Sequence, residues 1–235
     1  MGISNIASNL RPGICTSSTR PTTPYEGQVI YETDTNRTLV WDNAAWISLA
    51  QSGGAGLVKI IPTVSGTGAS VDSTGTITVS SGTTSFTVID AFNSNFEAYE
   101  IVVSDLTLST DAGIAMQLRT STTTSTTGYY YMASYGAAFY SGSGLTTTSS
   151  ANQTSWDLFT LAGSGGGGGA RFTLVNPFLS KKTTLSGGST DARSTGNARM
   201  PITGFHDPST SYTSFVLSSA ANFTRCRVSV YGYNQ

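Results

Sequence analysis

The apolar positions of this chain fall into short alternating runs separated by stretches of Ser, Thr and Gly. From residue 86 onward, nine such runs, rich in β-branched and aromatic residues, follow at roughly the 8–12 residue spacing of sandwiches and barrels. They read SFTVIDAF, YEIVVSDLTLS, IAMQLRTS, GYYYMASYGAAFY, SWDLFTLAG, ARFTLVNPF, KKTTLSG, SYTSFVLSS and CRVSVYGYN. No window of useful length shows a period of about 3.6 residues. The pattern therefore predicts an all-β protein with two antiparallel sheets packed face to face.

A separate aromatic patch lies near the N-terminus, in the sequence GQVIYETDTNRTLVWDNAAWISL. It predicts three short strands joined by two turns, the first with Asp34 and Asn36, which tolerate left-handed backbone, and the second at Asp42-Asn43. The two-residue alternation of strands predicts that Val29 and Leu39 share one face with Tyr31 and Trp41.

A meander of this size buries little surface alone. We therefore expect the patch to pack either on copies of itself about a symmetry axis or on a docking protein, with Tyr31, Trp41 and Trp46 as its contact residues.

The composition divides the chain into three segments. Residues 1–51 form the N-terminal module, and residues 52–85 form a connector rich in Gly, Ser and Thr with some short strands. Residues 86–235 form the C-terminal β domain.

Charge is scarce in this sequence. Charged residues make up 11% of the chain, against about 25% in an average soluble protein, and the net charge is −1. This excludes an electrostatic hold on nucleic acid or on an anionic membrane. No stretch is apolar enough to span a bilayer. We expect Cys15 and Cys226 to be reduced, as in a protein assembled in the cytosol, although the sequence alone does not decide whether either of them forms a disulfide.

The C-terminal half also resembles a known family. In order, it carries FNSNFEAYEIVVS, a strand with an internal Arg in MQLRTS, a Tyr-rich strand, RFTLVNPF followed by KKTTL, and a final NFTRCRVSVYGYN. This order resembles the C-terminal jelly-roll domain of tail fibres and other virion appendages of tailed bacteriophages. The segment RPGICTSSTRPTTPYEGQVIYETDTNRTLVWDNAAW resembles a module that occurs in phage virion proteins near docking or fibre segments. One departure is Cys226, which stands where such sequences more often have a small turn residue.

The resemblance implies a homotrimeric structural protein of the virion, assembled in the host cytoplasm. Its leading interpretation is a tail fibre or tail-tip protein that contributes to host-surface attachment. The alternative is a head fibre or capsid decoration protein with a purely structural role. The implied partners are further copies of the chain, other virion proteins through the N-terminal module, and a host glycan or protein. Neither nucleic acid nor membrane insertion is expected.

Catalytic chemistry is not predicted. The single histidine, His206, precedes Asp207 and Pro208, which indicates a surface turn rather than a catalytic pair. No zinc-ligand spacing and no phosphate loop are present, so we expect neither a metal nor a cofactor. Glu97 and Glu100 could reach the separation of glycosidase carboxyl groups, but a lone pair is a weak signal. We therefore expect that the chain is not an enzyme. A hydrolase is the third hypothesis, after the tail protein and the head fibre or capsid decoration protein.

A cluster of tyrosines supplies the candidate contact residues Tyr129, Tyr130, Tyr131, Tyr135 and Tyr140. Strand alternation predicts that Tyr129 and Tyr131 point to one face and Tyr130 to the other. One set is expected in the core or a subunit interface, and exposed rings can stack on sugars. We interpret the five as receptor contacts or trimer-interface residues.

Overall fold

A computed structural model describes the chain over residues 12–49, 56–80, 82–139, 142–161, 167–193 and 196–234. The chain divides into two compact units, residues 1–55 and 56–235. Every secondary-structure element within the described residues is a β-strand, so the predicted all-β class is confirmed.

The first unit contains one four-stranded sheet in the order β1-β2-β3-β4. Its strands are β1 (Gly13–Cys15), β2 (Val29–Glu32), β3 (Arg37–Trp41) and β4 (Trp46–Ser48). β1 pairs parallel with β2, and the other pairs are antiparallel. Asn36 has a φ of 53°, so the first turn uses the left-handed backbone predicted at this residue, and Asn43 has a φ of 75° in the second turn.

The prediction that Val29 and Tyr31 share a face with Leu39 and Trp41 is wrong. Ile30 pairs directly with Leu39, so these two residues share a face with Trp41. Val29 and Tyr31 project from the opposite face. The turn sets the register, and a difference of one residue moves every side chain of a strand to the other face.

The described residues of the second unit form fourteen strands. They are β5 (Gly56–Lys59), β6 (Thr63–Ser65), β7 (Ala69–Val71), β8 (Ile77–Val79), β9 (Thr83–Ile89), β10 (Ala98–Leu108), β11 (Ala112–Arg119), β12 (Tyr129–Phe139), β13 (Gly142–Gln153), β14 (Trp156–Leu161), β15 (Gly167–Val175), β16 (Thr183–Arg193), β17 (Gly196–His206) and β18 (Ser214–Asn234). The main path of pairing runs β13-β12-β17-β16-β15-β10-β18-β11-β14. Of the predicted connector, 52–85, the described part supplies strands β5 to β8 and the start of β9 to this unit.

β18 belongs to both layers of the sandwich. Its first half pairs with β11 and β9, and its second half pairs with β10, β8 and β5. The register shifts between Ser218 and Phe223, where the strand passes from one layer to the other. Such bends let one strand take part in two packed sheets.

The two layers enclose the core. β14, at one end of the pairing path, contacts β12, β16 and β17 near the other end, which places the layers face to face as predicted. The largest fully buried side chains between them are Trp156, Tyr99, Tyr129, Phe86, Phe92, Phe172, Phe215 and Phe223. Cys226 is buried within β18, opposite Val79, and not at a turn. Neither cysteine is in a disulfide.

Candidate functional site

The tyrosine-rich strand β12 alternates between the core and the outer face. Tyr129 and Tyr131 are buried, whereas Tyr130 is half-buried and Met132 is 63% exposed. The predicted alternation of the three tyrosines is therefore confirmed. Tyr135 lies in β12 but its side chain is outside the described residues, and Tyr140 lies outside them altogether.

The buried tyrosines hold the layers together. The hydroxyl of Tyr129 accepts a hydrogen bond from the Leu118 amide at 2.7 Å and donates to the Ser125 carbonyl at 3.2 Å. Burial raises the pKa of Tyr129 well above its usual range. Tyr131 donates to the Asp157 carboxylate at 2.6 Å, and burial also raises its pKa. Both side chains are thus committed to structure and are poor candidates for receptor contact.

Tyr130 forms an aromatic platform with Phe205 on the outer face. The two residues are direct partners in the β12–β17 ladder, and their rings stack at 4.7 Å with an interplanar angle of 4°. Phe205 remains 36% exposed. The Lys182 ammonium lies 5.6 Å from the centre of the Phe205 ring and 2.5 Å from the Asp207 carboxylate. The stacked rings thus cover one face of each other, and a charge pair that neutralises itself borders the stack.

The platform lines an open groove of about 500 Å³. This volume is within the range of ligand sites, roughly 300–1,000 Å³. The lining combines the two aromatic rings and Met132 with serine and threonine residues. Its lining residues are Tyr130, Tyr131, Met132, Ser149, Ser150, Ala151, Thr184, Thr203, Gly204 and Phe205.

Gly204 allows the platform to form. A Cβ at this position would meet the Tyr130 carbonyl oxygen at 2.4 Å, the Tyr131 Cβ at 2.9 Å and the Trp156 Nε1 at 3.1 Å. The neighbouring strand and the core indole therefore approach Gly204 more closely than any side chain permits. This close approach holds Phe205 beside Tyr130.

His206 anchors the end of β17, and the prediction that it lies in a surface turn is wrong. It is fully buried, because alternation along β17 turns it inward while Phe205 faces outward. Its Nε2 lies 3.0 Å from the Thr127 carbonyl oxygen and 2.9 Å from Ser125 Oγ, and its Nδ1 lies 3.4 Å from the Tyr212 hydroxyl.

The hydrogen bonds of His206 define its role. A carbonyl oxygen only accepts, so Nε2 carries the proton and Nδ1 accepts from Tyr212. In this tautomer Nε2 cannot take a proton from Ser125. Burial lowers the pKa of His206, against smaller opposing effects of the Thr127 carbonyl and Asp207. The neutral imidazole is therefore a structural group beneath the platform.

The two carboxylates considered for hydrolysis lie in different surroundings. Glu100 is buried on the outer face, where Arg171 forms an ion pair with it and the Tyr233 hydroxyl donates to it at 2.7 Å. Glu97 is exposed and precedes β10. Among the described residues, no group of three or more His, Cys, Asp or Glu side chains could hold a metal ion. The part of the chain that the structure describes also has no helix with the length and hydropathy needed to cross a membrane.

The first unit places its three predicted contact residues on two faces. Trp41 and Trp46 are direct ladder partners, half-buried, with ring centres 5.6 Å apart. Tyr31 lies on the opposite face, and its hydroxyl donates to the Asn36 side chain at 3.0 Å.

The face that carries Tyr31 is apolar and open. Ladder partners place Ile14 beside Tyr31 and Val29 beside Val40, which in turn pairs with Ile47. Ile14 is 74% exposed and Ile47 is 47% exposed. Val29 was predicted to share a face with Tyr31, but Ile14 and Ile47 were not predicted, since their positions on this face depend on the register.

Comparisons with known proteins add little. No family model matches the chain, and no curated protein matches it. Among solved structures, it is similar to the CBM2 module of the evolved Dit of Lactobacillus casei BL23 phage J-1, with 10% identity and a TM-score of 0.26. The match covers 79% of this chain and 94% of that chain. A similarity at this level supports no conclusion about function.

Proposed function

We propose that this chain is a virion protein of a tailed bacteriophage, a tail fibre or tail-tip component that binds a glycan on the host surface through the groove of its second unit. The observation that carries the proposal is the exposed Tyr130–Phe205 stack, with its fringe of hydroxyl groups. The resemblance of both ends of the sequence to phage appendage modules is consistent with this role.

The groove suits a sugar for a physical reason. The C–H faces of a sugar ring pack on aromatic rings, while its hydroxyl groups need hydrogen-bonding partners around the edge. Tyr130 and Phe205 are held on adjacent paired strands, so binding costs little conformational entropy. Serine and threonine side chains such as Ser149 and Thr203 can donate and accept around that platform.

The proposed activity is binding without catalysis. Glu100 is occupied by Arg171 and Tyr233, and His206 is a neutral structural group. Incubation of the purified protein with host polysaccharide should release no reducing sugar. Release above the level of a heat-denatured sample would contradict this part of the proposal.

The first unit is proposed to attach the chain to another virion protein, in a homotrimeric assembly. Its open apolar face, which includes Ile14, Tyr31 and Ile47, supports such an attachment, because contiguous exposed apolar surface marks interaction sites. The same face also favours the alternative function, a head fibre or capsid decoration protein without a receptor. The copy number per particle distinguishes these two functions, since a tail protein is expected in few copies and a capsid decoration protein in scores of copies.

The receptor role is tested by competition. Purified protein should block adsorption of the phage to its propagating strain, and Phe205→Ala should weaken this inhibition at least about tenfold, since truncating a buried aromatic contact typically costs more than 1 kcal/mol. Ile61→Ala is the matched control, because Ile61 is an exposed apolar residue, 65% accessible, that does not line the groove. Equal inhibition by the wild type and both variants would refute the role of the groove.

A further inference from the structure

The outer face continues as a groove beyond the aromatic platform. A second depression, also of about 500 Å³, adjoins the first and shares Met132, Ser149 and Thr203 with it. It follows the same strands β12, β13 and β17 away from Phe205. Its lining residues are Met132, Ala133, Ser134, Thr147, Thr148, Ser149, Pro201, Ile202 and Thr203. We call the two depressions together the trough.

The trough is longer than one sugar ring. Tyr130, Met132 and Ser134 alternate onto the outer face of β12. From Tyr130 to Ser134 the strand advances by about 13 Å, at about 3.3 Å per residue. If the ligand contacted the platform alone, it would touch neither the exposed Met132 nor the second depression.

The trough is also uncharged. None of the described residues that line the two depressions is an Asp, Glu, Lys, Arg or His. Among the described side chains, Lys182 and Asp207 border the platform and pair with each other at 2.5 Å. Asp157 accepts a hydrogen bond from Tyr131, which lines the first depression. Against this described lining, a carboxylate or phosphate on a ligand would lose its hydration and meet no cation among the lining residues. The lining instead offers hydroxyl groups, on Ser134, Thr147 and Ser149.

We propose that the trough binds an extended, uncharged oligosaccharide of several sugar units, with one ring on Tyr130 and Phe205 and the following units along Met132 toward Ser134 and Thr147. This inference rests on the proposed function and adds the chemical class and the length of the ligand. Met132 provides a flexible apolar surface in the middle of the trough, and serines and threonines line its sides.

The experiment separates the length of the ligand from the use of the platform. Surface polysaccharide of the propagating strain is partially hydrolysed, divided by anion exchange into uncharged and anionic pools, and fractionated by length. Binding to the full-length protein is measured for wild type, Phe205→Ala and Thr147→Trp. Thr147 is exposed in the second depression, so the indole would block the trough without touching the platform.

The variants are chosen to keep the fold. Ser134→Trp, on β12 directly opposite Thr147, is a second blocking variant in case Thr147→Trp fails to fold, because Ser134 lines only the second depression. Ser70→Trp is the matched control, because Ser70 is exposed on β7 and does not line the trough. Far-ultraviolet circular dichroism and molar mass by light scattering are recorded for every variant.

The expected result is binding to the uncharged pool, with affinity that rises about tenfold or more from the shortest to the longer fragments. Phe205→Ala should weaken binding to all fragments. Thr147→Trp should weaken binding of long fragments about tenfold and leave that of the shortest ones unchanged, and Ser70→Trp should have no effect.

Other outcomes overturn the inference in distinguishable ways. If Phe205→Ala abolishes binding while both blocking variants bind long fragments normally, the ligand contacts the platform alone and the proposed function stands. Binding confined to the anionic pool overturns the chemical class. A changed molar mass in the blocking variants identifies the trough as a contact between copies of the chain, and full binding by every variant overturns both proposals.

Discussion

Replacement of Gly204 by alanine should destabilise the second unit and distort the platform together. The added Cβ would lie 2.4 Å from the Tyr130 carbonyl oxygen, roughly 1 Å inside ordinary van der Waals contact. That oxygen belongs to the backbone of β12, which β13 and β17 hold from both sides, so it cannot move alone.

The expected loss of stability follows from the backbone of β12 that must shift to relieve this contact. Overpacking of a well-packed interior costs about 1–3 kcal/mol, and each weakened ladder hydrogen bond adds about 1 kcal/mol. We therefore expect Gly204→Ala to lower the free energy of unfolding by about 3 kcal/mol. For a unit of this size the melting temperature should fall by about 6–12 °C.

The assay uses Trp156 as a reporter, because it is the only tryptophan of residues 56–235 and packs against Gly204. With Trp41 and Trp46 replaced by phenylalanine, urea unfolding followed by fluorescence at fixed protein concentration reports on the second unit. Gly167→Ala is the control.

At Gly167 an added Cβ would meet nothing within 4 Å, and its φ is not positive. The control should therefore be neutral or slightly stabilising, through reduced entropy of the unfolded chain. If Gly204→Ala unfolds at the wild-type urea concentration and binds sugar normally, the close approach of β12 and β17 does not support the platform as described.

Three further outcomes are expected. Burial lowers the pKa of His206, so as the pH falls the unfolded chain takes up this proton before the folded chain does. The free energy of unfolding of the second unit should therefore decrease as the pH falls through about 6.5, the ordinary pKa of histidine. His206→Gln should reduce this pH dependence, measured by urea unfolding at a series of pH values. A thiol reagent should modify the partly exposed Cys15 in the native protein but the buried Cys226 only upon unfolding, and simultaneous reaction of both would contradict the burial in β18. Ile47→Lys should leave the circular dichroism unchanged, since Ile47 is 47% exposed, but reduce the amount of the chain in purified particles; unchanged incorporation would exclude this face as the attachment surface.

The sequence predicts strands well where burial alternates with exposure. β10, β11 and β12 coincide with predicted runs, because apolar residues alternate there with polar ones or tyrosines. The last two runs were predicted as separate strands, yet they join in β18, since the polar stretch between them keeps its pairing through shifts in register. Such pairing depends on neighbouring strands and leaves no local signal.

β13 and β17 were not predicted, and β17 carries half of the platform. β13 is composed largely of Gly, Ser and Thr, and it lies at the end of the pairing path, so its sequence resembles a loop. β17 contains Pro201, which argues against a central strand because it cannot donate to the ladder. Phe205 was therefore missed, although alternation alone predicted that Tyr130 points to the face opposite Tyr129 and Tyr131. Gly167 to Gly169 begin β15, where partner strands supply the order that the glycines lack.

The position of β18 in the chain has a consequence for biosynthesis. Five strands that precede it, β5, β8, β9, β10 and β11, all pair with it, so none of them has its full set of neighbours until residues 214–234 have left the ribosome. The second unit can therefore close only once β18 has been synthesised, and not progressively along the strands that precede it. Polypeptides released before this strand is synthesised would have two rows of unsatisfied backbone groups. Such polypeptides would be prone to aggregation and proteolysis.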